Sequence, residues 1–352
     1  MSLKTTSCWT ISVARGALTV AFALAVLSLV ACTEVFRLPE YELTGAAMGT
    51  TFTVKLIEPA EMVNRSELGR EISDRLEEIE QRFSTYRPSS ELSLVNGALT
   101  TDWIPVSVEF CDVVAAALSI SRQTNGAFDI TVGPLVMLWG FGPGSERTAP
   151  PGDEMVAEAR SSVGYDKIDT DCSRPAVKKA LPGVQMDLSA FVKGYAVDEA
   201  AWLLDERGVG NYLVEIGGEL RVAGHNSLAE PWAIAVEKPD TGSRSAHSVV
   251  HISDGGMATS GDYRNFFEHD GVRYSHTIDP ATGRPVTHDA AAVTVIGENS
   301  AEADALATAL LVMGPDDGLQ FARDAGIAAF FLLRRDPDFE ELVTPEFDAL
   351  LN

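Results

Sequence analysis

The 352-residue chain predicts an α+β fold. Strand-like alternation and helix-like spacing both recur along it, and they follow one another without a regular βαβ order. From Met48 onward no Ser/Gly/Pro-rich linker and no internal repeat divides it. Thr51–Ile57 (TFTVKLI) alternates as a strand. Asn64 and Glu67 suit a capping box, and Leu68, Ile72, Leu76, Ile79 and Phe83 then share one helical face. Val108–Ser121 reads as a second, mostly buried helix, and Phe191–Arg207 as a third, stopped by Gly208. Segments 212–216, 232–236, 248–252 and 291–296 read as strands. Ser300 caps a helix through Met313, closed by Gly314-Pro315. A further helix, 316–325, leads to a last strand, Ile327–Leu333.

Composition narrows the function. Twenty-seven Lys and Arg stand against 51 Asp and Glu, a net charge of -24 that repels phosphate backbones and argues against nucleic-acid binding. With 29 Gly, 17 Pro and 4 Cys, the chain is neither collagen-like, low-complexity nor a disulfide scaffold. Before Glu34 only Lys4 and Arg15 are charged, and residues 16–31 (GALTVAFALAVLSLVA) form an apolar run too short and wrongly flanked for a membrane span. Leu29-Val30-Ala31-Cys32 resembles a bacterial lipobox. The expectation is a lipoprotein signal peptide over 1–31, lipidation of Cys32, a tether over 32–46, and a body from 47 to 352 that is periplasmic and held to the membrane by lipid. Export permits a Cys111–Cys172 disulfide, while the apolar setting of Cys111 equally suits a buried free thiol. No CxxC or Cys/His spacing suggests zinc.

Familiar site motifs fail. Gly208-Val209-Gly210 follows a helix and lacks a third glycine, Gly217-Gly218 suits a tight turn, and Ser189 and Lys193 are four apart rather than three. Other polar residues stand out. Asp129, between Phe128 and Ile130, is either a turn cap or a ligand group, and Asp187, just before a helix, is either near an N-cap or in a site. Residues 258–265 (ATSGDYRN) form a dense polar loop, and His276 lies between turn signals. Asp304 and Thr308 are four apart on an otherwise apolar helix, placing two hard oxygens on one face about 6 Å apart along the axis. They are either a helix-surface pair or a Mg²⁺ or Ca²⁺ site.

Taken together, these segments resemble the FAD:protein FMN transferases, the ApbE family. The likeness runs from Met48-Gly49-Thr50 through FSTY (83–86), GAFDITVGPLVMLWGFG (126–142), DLSAFVKGYAVD (187–198), EIGGEL (215–220), ATSGDYRN (258–265), SHTIDPATGRPV (275–286) and ADALATALLVMG (303–314). Ala281 stands where a longer polar residue is common in the family. The resemblance implies a T-fold-related α+β body with an FAD cleft. It implies an exported enzyme that cleaves FAD, attaches FMN through a phosphoester to a Ser or Thr of an acceptor protein of a membrane redox system, and releases AMP. By position, Met48, Ala127, Phe128, Asp129, Asp187, Lys193 and Ile278 lie around FAD. Mg²⁺ is held by Asp304, Thr308 and the backbone oxygens of Ala190 and Ala307.

The residue chemistry agrees. A pyrophosphate brought to an acidic protein needs a neutralising cation, for which a carboxylate, a hydroxyl and carbonyls are suitable ligands. The acceptor hydroxyl needs a base, His276 first and Asp262 second. Water in place of that hydroxyl would give an FAD pyrophosphatase. A non-catalytic flavin-binding lipoprotein would need neither the metal ligands nor the base.

Overall fold

The computed structural model describes residues 37–57, 63–239, 245–335 and 338–351; the segment 1–31 expected as a signal peptide and Cys32 lie outside them. Eight strands form one sheet: β1 (Glu40–Ala47), β2 (Thr50–Ile57), β3 (Tyr212–Ile216), β4 (Glu219–Ala223), β5 (Asp254–Gly261), β6 (Ala290–Gly297), β7 (Ala328–Arg334) and β8 (Phe339–Val343). Their order across the sheet is their order along the chain, and every neighbouring pair is antiparallel. The α+β expectation holds in this form: a meander with helices inserted between strands. Central β6 is buried along nearly its whole length, as its continuous apolar run AAAVTVI requires.

Four longer helices complete the body: α1 (Arg65–Phe83), α2 (Val108–Gln123), α3 (Ser189–Glu206) and α4 (Ser300–Ala325). Asn64 caps α1, accepting from Glu67 N, and Leu68, Ile72, Leu76, Ile79 and Phe83 form its buried face. Each such side chain contributes about 1.5–3 kcal/mol by leaving water. The expected break at Gly314-Pro315 is a kink inside α4, where Gly314 takes φ 82°. Residues 232–237 and 246–252 pair with each other in a separate hairpin rather than joining the large sheet.

Three expectations need correction. Residues 40–47 are not tether but strand β1, paired from Glu40↔Ile57 to Ala47↔Thr50. Tyr41 and Leu43 pack against the core from one face of this strand, alternating with polar residues that made the segment read as a linker. The first part of the polar segment 258–265 belongs to strand β5. Its sequence, DGGMATSG, has little intrinsic strand preference, and pairing on both sides with β4 and β6 overrides that. Finally, Asn299 rather than Ser300 is the side-chain cap of α4, accepting from Glu302 N at 2.8 Å.

The joint between α3 and α4 has no room for a side chain. A Cβ on Gly194 would lie 2.2 Å from Ser300 O, and one on Gly256 of β5 would lie 2.3 Å from Ser300 N. Asp198, one turn beyond Gly194, accepts from Ser300 N and Ala301 N, both at 2.9 Å. It satisfies two N–H groups that no carbonyl of α4 can reach. Arg221 of β4 donates to the same carboxylate at 3.1 Å. The start of α4 is thereby fixed to both α3 and the sheet.

Cys111 of α2 and Cys172 form a disulfide with their Cα atoms 5.6 Å apart, which resolves the alternative in favour of the bond. It closes a 61-residue separation, so reducing it should lower stability by about 2–4 kcal/mol. Thermal unfolding with and without reductant measures this. Coincident melting curves would contradict a bonded pair.

Candidate active site

Each segment singled out for its polar residues contributes to one cleft of about 450 Å³. Ala127, Phe128 and Asp129 meet there with Asp187, Ala190 and Lys193 from the start of α3, and with Asp304 and Thr308 from α4. His276 and Ile278 complete the lining among the expected residues. Met48 and Ala307 are not part of that lining. Met48, at φ 53°, turns β1 into β2, and its N–H donates to Glu80. Ala307 is wholly buried in α4.

Asp304 is 3% exposed and therefore no helix-surface acid. Burial pushes its carboxyl pKa up, nearby Glu219 adds to the rise, and the Lys193 ammonium opposes it. Its hydrogen bond from Gly194 N is long, at 3.4 Å. Thr308 Oγ1, one turn on, lies 2.7 Å from Ser260 Oγ at the end of β5. Burial works against the Lys193 charge as well, but the carboxylates of Asp304 and Glu219 outweigh it and raise the Lys193 pKa. Lys193 Nζ is ion-paired with Glu219 Oε1, whereas Glu219 Oε2 is buried with no hydrogen-bond partner among the described residues.

Among the described residues, no three His, Cys, Asp or Glu side chains gather as a metal cage. A hard divalent cation does not need one, since it is commonly held by one or two carboxylates together with hydroxyls, carbonyls, waters and substrate phosphate. The buried, weakly bonded Asp304 carboxylate and the two hydroxyls beside it fit such an ion.

His276 Nδ1 lies 3.1 Å from the carbonyl oxygen of Asn265, and its own N–H donates to the same oxygen at 3.0 Å. A carbonyl can only accept, so Nδ1 carries the proton and Nε2 keeps its lone pair. The ring meets open cleft space, yet protein encloses it closely enough that lost hydration lowers its pKa below the ordinary 6.5. Phe141 packs edge-on to the ring, with centroids 6.3 Å apart. The imidazole is therefore held neutral and oriented, as a base must be.

Asp262 does not share that position. Both its oxygens are held by the Arg334 guanidinium, and it lies outside the cleft lining although Gly261 and Tyr263 on either side belong to it. A carboxylate whose two oxygens are both engaged by a guanidinium has neither oxygen directed at a substrate hydroxyl in the cleft. The sequence could not show this, because Arg334 is 72 positions away. Asp129 is also occupied: it accepts from Thr131 N (2.8 Å), Thr131 Oγ1 (2.6 Å) and Tyr165 N (2.8 Å), so it braces its turn while lining the cleft. Asp187 accepts from Ser189 N at 2.9 Å, an N-terminal turn of α3, and likewise lines the cleft. Sequence reasoning missed Glu219 and Ser260. Both lie inside segments already singled out, 215–220 and 258–265, but neither spacing nor residue type distinguished them from their neighbours.

The α+β meander and its cleft are similar to those of solved enzymes. The flavin transferase ApbE from Vibrio cholerae superposes with a TM-score of 0.82 at 39% identity, covering 89% of this chain and all of that one. The apo flavinyl transferase ApbE of Pseudomonas stutzeri gives 0.82 at 38%, covering 91% and 99%. Among curated proteins, the FAD:protein FMN transferase of Haemophilus influenzae is 41% identical over 95% of this chain and 97% of its own length. The protein of that name from Vibrio cholerae is 40% identical over 89% and 93%. Residues 48–331 match the ApbE family, and the chain belongs to it.

The Asp262–Arg334 pairing predicts how two variants separate. Asp262→Asn should cost about 1–3 kcal/mol of stability by leaving Arg334 imperfectly paired. Its effect on turnover should be much smaller than that of His276→Ala. Equal kinetic losses in the two, measured on folded protein, would return Asp262 to the chemistry.

Proposed function

We propose that this enzyme cleaves FAD in the cleft and moves the FMN half onto a Ser or Thr hydroxyl of an acceptor protein, releasing AMP, with Mg²⁺ as its cofactor. The observation that carries the reading is the pairing in one cleft of an oriented neutral imidazole, His276, with the buried Asp304 carboxylate and the half-buried hydroxyls of Thr308 and Ser260. A binding protein needs the cleft but not the poised base. The names of the curated relatives support transfer to protein rather than to water.

His276 Nε2 takes the proton of the acceptor hydroxyl as its oxygen attacks the FMN phosphorus. The new phosphoester forms as the bond to the AMP phosphate breaks, and AMP departs with that electron pair. A Ser or Thr hydroxyl has a pKa far above neutrality, so it needs this base in the transition state. Asp304, Thr308 and the carbonyl of Ala190, all in the cleft lining, would hold Mg²⁺, which when bound withdraws charge from the phosphorus and steadies the departing phosphate. Lys193 supplies a fixed positive charge on the same side. Asp129 and Asp187, acceptors rather than donors, keep the loops around Ala127, Phe128 and Ile278 in place for the flavin and ribityl portions. Met48, outside the lining, acts on FAD only through the turn that follows β1.

The reading includes export and a lipid anchor at Cys32, with the acceptor in a membrane redox system. The Cys111–Cys172 disulfide supports an oxidising compartment, and the acidic charge disfavours nucleic-acid partners.

The direct test incubates the protein with FAD, Mg²⁺ and a candidate acceptor, then looks for flavin fluorescence on the acceptor band after denaturing electrophoresis. A fluorescent band is expected. FMN and AMP released with every acceptor unlabelled would replace transferase by pyrophosphatase. Because the base must be unprotonated and its pKa is lowered, the acid limb of kcat/KM should lie below pH 6.5, with activity lost as pH falls through it. His276→Ala should lower turnover by about 10²-fold or more. It should also remove that limb while leaving FAD affinity little changed; a variant with wild-type rate and pH profile would contradict the assignment.

A further inference from the structure

Glu219 has no assigned part in this chemistry, yet its position is hard to explain by folding alone. Its side chain is 3% exposed, one oxygen is ion-paired to Lys193 and the other is buried with no hydrogen-bond partner among the described residues. Burying an incompletely paired carboxylate carries a desolvation penalty that an apolar residue of similar size would avoid. The chain makes a special turn to place it: Gly217 and Gly218, at φ 63° and 114°, precede it, and a Cβ on Gly217 would press on Thr50. Lys193 approaches from α3 and Asp304 from α4, so one ammonium faces two buried carboxylates on three different elements.

We infer that Glu219 is a positioning residue that engages the Lys193 ammonium so that the Asp304 carboxylate oxygens stay free of an ammonium partner and open to the divalent cation. Without Glu219, the nearest cation for Asp304 is Lys193 itself. An ammonium on Asp304 would compete with the metal for the same lone pairs, since a buried carboxylate in a low-dielectric site binds whichever cation reaches it. With Glu219 present, Lys193 is satisfied on one side and remains in the cleft as a fixed charge. Glu219 thereby divides the work: Lys193 serves the substrate phosphates and Asp304 serves the metal.

The inference rests on the magnesium reading, and its test separates the two. Mn²⁺ binding in the absence of FAD, followed by electron paramagnetic resonance, gives a dissociation constant without reference to turnover. Thermal melting in parallel verifies that each variant is folded. Glu219→Gln, which keeps the shape and removes the charge, should weaken Mn²⁺ binding about tenfold. Adding Lys193→Met to it removes the competing ammonium and should return affinity to near the wild-type value. If Glu219→Gln binds Mn²⁺ as wild type does, Glu219 is structural and the inference fails while the metal reading stands. If the double variant stays as weak as Glu219→Gln, Glu219 acts on the cation directly rather than through Lys193, and the inference fails again. Wild-type protein that binds no Mn²⁺ contradicts the magnesium reading and this inference with it.

Discussion

The site depends on the contact of two helices at a point where α3, at Gly194, has no room for a side chain. Gly194 on α3 lets the backbone of Ser300 come within the space a methyl group would fill, and Gly256 of β5 does the same from the sheet. Once Ser300 is seated there, the next turn of α4 brings Asp304 against Gly194 N. The turn after it brings Thr308 to Ser260. Lys193, adjacent to Gly194, is thereby placed beside the same carboxylate. A residue larger than glycine at 194 would displace backbone rather than a side-chain tip, and the shift would reach the cleft directly. Asp198 reinforces the joint by satisfying two otherwise unpaired N–H groups of α4, at the cost of a buried charge whose pKa is raised by lost hydration. Arg221 and those two backbone donors compensate it.

The meander explains why this arrangement can be assembled from distant segments. Strand order across the sheet equals strand order along the chain, so every connection is free to carry a helix or loop without crossing another. The stretch between β4 and β5 holds the separate hairpin, that between β5 and β6 holds His276, and α3 and α4 fill others. The aromatic run Trp139–Tyr274–Phe267–Phe141, each neighbour within 6 Å centroid to centroid, then ends edge-on against His276. Trp139 Nε1 also donates to Gly283 O at 2.8 Å, joining this stack to the turn beyond Ile278. The His276 ring is thus positioned by packing against Phe141 and by the Asn265 carbonyl.

Much of this was legible in the sequence where the signal is local. The apolar face of α1, the strand 212–216 and the break at Gly314 all follow from periodicity and backbone restriction within one segment. What was not legible is decided by partners far away. Strand β5 is glycine-rich and owes its conformation to β4 and β6, and β1 hides its half-buried face among charges. In the site, residue types and family resemblance brought His276, Asp304, Thr308 and Lys193 to notice, and the structure places all four around one cleft. They could not show that Asp262 is consumed by Arg334, or that Asp129, beyond its local turn to Thr131, also accepts from Tyr165 N, 36 positions away. Both facts are tertiary hydrogen bonds. Glu219 escaped for the same reason, since its importance lies in which ammonium it meets.

On the proposed function, Asp304 anchors a divalent cation on which transfer depends. Flavinylation rate against Mg²⁺ concentration, measured for wild type and Asp304→Asn with FAD saturating, tests it most directly. Asparagine keeps the shape and removes the charge, so the variant's rate should collapse, and tens of millimolar Mg²⁺ should restore it only in part, an order-of-magnitude expectation for about one lost charged ligand. Superimposable curves for the two proteins would contradict the account.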